Sequence, residues 1–85
     1  PFEIANIRTL ITILKQTQLP KNIEVIGHFV DTREEATIKG KVIDYEYTSL
    51  TANITLVDEH GKEWKVGGLG SYFEDVEGEK FILLE

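Results

Sequence analysis

Most of the side chains in this sequence that could do chemistry are carboxylates. Asp44, Glu46, Asp58, Glu59, Glu74, Asp75, Glu77 and Glu79 all fall in the C-terminal half. Paired carboxylates can move a proton or hold a hard cation, but only in a cleft that shifts their pKa or gathers enough oxygens. Asp44 and Glu46 share one strand parity, as do Asp75 and Glu77 if that segment is extended. The run Asp75-Val76-Glu77-Gly78-Glu79 does not have the spacing of a twelve-residue calcium loop. A solvated acidic face is the ordinary reading of such a set. His28 and His60 lie in different elements, and neither has a second ligand type at metal spacing. There is no cysteine, and Ser49 and Ser71 are not in a strand–turn–helix elbow. Gly67-Gly68-Leu69-Gly70-Ser71 lacks the Lys-Ser/Thr end of a phosphate loop, so it reads as a turn. No catalytic, cofactor-binding or metal site is therefore expected, and the chain reads as a binding domain rather than an enzyme.

A second constellation is basic and aromatic. Lys39, Lys41, Tyr45 and Tyr47 share parity along one extended stretch on either side of Gly40. Interleaved cations and rings on a strand can hold a nucleic-acid backbone and stack its bases. Asp44 and Glu46 stand beside them and weigh against that use.

Several elements must carry these residues. Ile4, Ile7, Ile11 and Leu14 recur at helical spacing, and Leu10 and Ile13 widen the stripe, which predicts an amphipathic helix over 3–17. Many of its residues are β-branched, so it needs a sheet to lie on. Pro20 marks its limit. The period then becomes two: a strand is expected over 22–30, a loop over 31–35, and a long strand over 36–47. Alternation in the long strand slips after Gly40, with Ala36 and Ile38 on one parity and Ile43, Tyr45 and Tyr47 on the other, which indicates a bulge or bend. The clearest feature is a hairpin from Ala52 to Val66 turning at Asp58-Glu59-His60-Gly61, with Ile54, Leu56, Trp64 and Val66 facing the core. Residues 72–76 form a weaker strand or helical turn. Glu77-Gly78 turns the chain again, and Lys80 to Leu84 make a last strand with Phe81 and Leu83 on one side.

The 85 residues support one domain and a modest core. Without cysteine, oligomerisation is the supplement to stability that remains, and a homo-oligomer is expected. No run reaches the ~20 apolar residues that span a bilayer, and the N-terminus lacks a basic secretory n-region. A cytoplasmic location and no membrane partner follow as expectations. The net charge of −6 divides into +1 over residues 1–43 (six basic, five acidic) and −7 over 44–85 (three basic, ten acidic). That balance disfavours coating a phosphate backbone.

The stretch from Ile38 to Val76, with the segments IKGKVIDYEY, ANITLVDEHGKEWKV and YFEDVEG (the last running on to Gly78), resembles small Sm-like or SH3-like barrels, YolD-like bacterial proteins among them. The resemblance implies a barrel with the preceding helix over one open end. The expected fold is thus α+β over residues 1–85. An N-terminal helix packs on a curved antiparallel sheet, or on a small SH3/Sm-like barrel of about five strands, spanning 22–85. The expected function is a non-enzymatic acidic protein-interaction or regulatory domain meeting a basic protein surface through the eight carboxylates. In its sharper form the chain is an inhibitor mimicking nucleic-acid charge. The alternatives are a single-stranded nucleic-acid binder using Lys39, Lys41, Tyr45 and Tyr47, and a structural subunit of a homo-oligomer.

Overall fold

The structure is a computed structural model that describes residues 2–4, 7–48, 52–67 and 72–83. It consists of β1 (Phe2–Ile4), α1 (Ile7–Leu14), β2 (Lys21–Phe29), β3 (Glu35–Tyr47), β4 (Ala52–Asp58), β5 (Glu63–Gly67), β6 (Tyr72–Asp75) and β7 (Lys80–Leu83). Strands β2 to β7 run antiparallel in sequence order, and pairing of β7 back onto β2 closes them into a six-stranded barrel. The expected curved sheet does close, with one strand more than the five anticipated.

The expected helix over 3–17 does not form at that length. Phe2–Ile4 are a strand, parallel to Ile23–Val25 of β2, and α1 is only eight residues long. Isoleucine suits either state, and three residues are too few for a period to distinguish them. Within α1, Leu10, Ile11 and Leu14 are buried among the core side chains. Among the described residues no helix is long and apolar enough to cross a membrane.

Closure depends on strands that serve different neighbours along their length. The first part of β3 pairs with β2 through Glu35–Val42, and the second pairs with β4 through Gly40–Tyr47. Gly40 lies in the overlap, opposite both Ile23 and Asp58. A Cβ there would run into the Val57 carbonyl and the Asp58 backbone, so the strands can cross this closely only at glycine. The register then shifts between Val42 and Asp44, leaving Ile43 without a partner. This bulge is the phase slip expected from the alternation. It puts Ile43 outside, 47% exposed, while Val42 is buried.

The core follows the alternation of the strands. Ile54, Leu56, Trp64 and Val66 are all buried, as the hairpin pattern requires, and Leu56 stands opposite Trp64. Phe73, Phe81 and Leu83 complete it from the last two strands. Phe29, Trp64 and Phe81 form an aromatic cluster, with the Phe29 and Phe81 rings 5.2 Å apart edge to face.

Candidate functional site

Two turns at one end of the barrel have the same construction. In the β4–β5 turn the Asp58 carboxylate accepts the amide N–H groups of His60 and Lys62, each at 2.9 Å, through one oxygen. In the β6–β7 turn Asp75 accepts those of Glu77 (3.0 Å) and Glu79 (2.8 Å) in the same way. The third residue after each aspartate is a glycine with positive φ, 80° at Gly61 and 87° at Gly78, and its N–H returns to the aspartate carbonyl. The left-handed conformation costs least at glycine, which fixes the Asp-x-x-Gly spacing.

The second carboxylate oxygens point to different partners. That of Asp58 accepts the Trp64 indole N–H at 3.1 Å. That of Asp75 lies 2.7 Å from the Lys62 ammonium, in a close ion pair. Lys62 also donates to Glu79 at 3.2 Å and lies over the Trp64 ring, 4.8 Å from its centroid. One lysine therefore ties the two turns together across the end of the barrel. Burial pushes both aspartates up. For Asp58 the indole and the Lys62 and His60 amides outweigh it, and for Asp75 the Lys62 ammonium and the Glu79 and Glu77 amides do, so both carboxyls lie below the usual range. The Asp75 carboxylate beside it holds Lys62 above the ordinary lysine value, against the effect of burial.

A groove of about 630 Å³ runs over the outside of β2, β3 and β4. Ile43 and Val57 form its apolar part, with Asn22, Glu24, Lys39, Lys41 and Glu59 around them. Its size suits a small ligand or the side chains of a partner segment. Glu24 and Lys39 face each other across the strands at 3.9 Å.

The eight carboxylates do not form one surface. Asp75, Glu79 and the Asp58 turn gather around Lys62, and the Asp75 side chain is fully shielded from solvent. Glu59 and Glu77 are exposed on their turns, Glu74 is half-buried opposite Lys65 and Lys80, and Asp44 and Glu46 are exposed on β3. The proposed basic and aromatic stripe is also divided. The bulge at Ile43 reverses the parity of everything after it, so Lys39 and Lys41 are outside while Tyr45 packs against the core. Tyr47 is 50% exposed and has the Lys15 ammonium over its ring at 4.3 Å. The four residues are therefore not a continuous stacking platform.

Lys62 did not stand out in the sequence. The repeat Asp58-x-x-Gly61 and Asp75-x-x-Gly78 was the available signal, because equal spacing of Asp and Gly implies equal turns. His28 is half-buried in β2, between Glu35 and Ile82 on the neighbouring strands. Among the described residues no group of His, Cys, Asp and Glu could hold a metal ion. Ser49, Ser71 and residues 68–70, where a turn is expected from the glycines, lie outside the described residues.

The sequence matches a family model described as TrmB/TrmBL1, EBD C-terminal subdomain, over residues 1–85. A curated relative is the HTH-type sugar sensing transcriptional regulator TrmBL1 of Pyrococcus furiosus. It is 62% identical over 85 residues, which are 100% of this chain and 25% of that protein. The chain thus spans a quarter of the relative's length. No solved structure matches it. The reading as an inhibitor that mimics nucleic-acid charge is overturned by this likeness, since the relative is itself a sugar-sensing regulator. The dispersed carboxylates agree with that correction.

Proposed function

The chain belongs to the TrmB/TrmBL1 effector-binding C-terminal subdomain family, and on that premise we propose that it is part of the sensing apparatus of a sugar-responsive transcriptional regulator. The observation that carries the reading is the extent of the likeness. At 62% identity across all 85 residues, it covers the barrel and both aspartate turns rather than one local motif. The domain regulates by binding and does no chemistry of its own.

Reading of DNA falls to other parts of such a regulator. A helix-turn-helix needs two helices, one of them seated in the major groove, and the described residues hold one helix of eight residues. A sugar then acts by linkage: it shifts DNA affinity only as far as it binds the DNA-free and DNA-bound forms differently. A regulator of this kind works in the cytoplasm, where its DNA lies. In this reading the carboxylates that meet other protein surfaces are Asp44, Glu46, Glu59 and Glu77, and their exposure supports that role.

The test uses the full-length regulator carrying this domain. Its affinity for operator DNA is measured by fluorescence anisotropy with and without a panel of mono- and disaccharides. At least one sugar should shift the affinity about fivefold or more, and deletion of this domain should abolish the shift. A response that survives the deletion, or no response to any sugar in the panel, would overturn the proposal.

A further inference from the structure

Val76 is 86% exposed at the tip of the β6–β7 turn, more than any other large apolar side chain among the described residues. The turn beneath it is held by the Asp75 carboxylate, two backbone amides and Lys62. A knob held this firmly loses little conformational freedom when it docks. Exposed Glu77 stands beside it.

The groove on β2–β4 offers a complementary surface. Ile43, forced outward by the bulge, and half-buried Val57 supply an apolar floor. Lys41 on its wall is the one described lysine without a partner. Lys39, Lys62 and Lys65 face carboxylates, Lys15 and Lys80 cover tyrosine rings, and Lys21 is also engaged. Glu24 is opposed by Lys39, and the Asp58 carboxylate is turned into its own hairpin. Lys41 and Glu59 are then the charges left facing the groove. Val76 lines a separate hollow with Glu63, Lys65 and Glu74, which shares no residue with the groove, so a chain does not fill its own groove with its own knob.

We propose that the Val76 turn of one copy seats in the Ile43–Val57 groove of a second copy, with Glu77 meeting Lys41. The contact joins two unlike surfaces of the same chain, and the inference does not rest on the sugar-sensing reading.

Sedimentation velocity of the full-length regulator over a concentration series, at physiological ionic strength, tests the contact. Val76→Ser and Lys41→Glu should each weaken self-association about tenfold. Glu77→Lys should weaken it alone and restore it when combined with Lys41→Glu. Both positions are exposed, so these variants keep the fold. A mass distribution unchanged in all three single variants would overturn the proposal. So would an Ile43→Asp variant that splits the thermal unfolding of the regulator without altering its mass, because the groove would then be covered by another part of the same polypeptide.

Discussion

Replacing Lys62 with methionine isolates the energy of the tie between the two turns. The substitution keeps most of the aliphatic stem over Trp64 but removes the ammonium that lies 2.7 Å from Asp75 and 3.2 Å from Glu79. Asp75 is left shielded from solvent with two amide donors and no countercharge. Stripping one partner from a fully buried pair costs about 3–5 kcal/mol. The Lys62 side chain is 37% exposed, so solvent screens the pair and the expected loss is about 1–2 kcal/mol. For a domain of this size that lowers Tm by about 5–15 °C. The fluorescence of Trp64, the single tryptophan, reports unfolding from beside the substitution. The pH dependence has a definite sign. The depressed Asp75 carboxyl contributes stability above about pH 3.9, which is lost as pH falls through its folded value. The elevated Lys62 contributes stability below about pH 10.4, which is lost as pH rises through its folded value. The gap between the two proteins should therefore be widest between about pH 5 and 9 and narrow at both extremes. A methionine variant within about 1 °C of the parent at pH 7, or a gap independent of pH, would refute this account of the ion pair.

Three further substitutions probe the elements that hold the barrel. Asp58→Ala removes the acceptor of two turn amides and of the Trp64 indole, and should cost about 2–3 kcal/mol in urea unfolding. Gly40→Ala drives a methyl group into the β4 backbone and should cost about 3 kcal/mol, or prevent folding, as read by circular dichroism. At Gly61 nothing lies within 4 Å of an added Cβ, so Gly61→Ala meets only backbone strain and should cost about 1 kcal/mol in the same urea assay.

What could be read from the sequence was whatever repeats over a long enough stretch. The hairpin core of Ile54, Leu56, Trp64 and Val66 was legible because period-two alternation there runs through two strands and a turn with its own chemistry. The slip after Gly40 was legible for the same reason. Its consequence was harder to draw: one unpaired residue, Ile43, sends Lys41 and Tyr45 to opposite faces, so a stripe continuous in the sequence is divided in space. The start of the chain misled because its isoleucines fit a helix, whereas β1 exists only through pairing with a strand twenty residues away. Asp58 and Asp75 read as solvated charges when taken singly, and only the Asp-x-x-Gly spacing they share marks turns in which a carboxylate folds back on its own amides. The groove was invisible at that level, since it arises where the bulge of one strand meets residues of two others.

One edge of β2 is divided between two strands: Ile23–Val25 hold β1, and Gly27–Phe29 hold β7. In mechanical terms this edge of β2 is held by two stitches, each only three pairings long, of which the β7 stitch closes the barrel. Tension applied through the N-terminal strand loads β1 first, and β1 is parallel to its neighbour, so the load acts along the strands as shear rather than peeling them apart one bond at a time. When β1 yields, β7 still pairs with Gly27–Phe29, so the chain loses its first strand while the six-stranded barrel stays closed. A pull on β1 is thus taken up at this edge while the core around Trp64 and Phe81 stays closed.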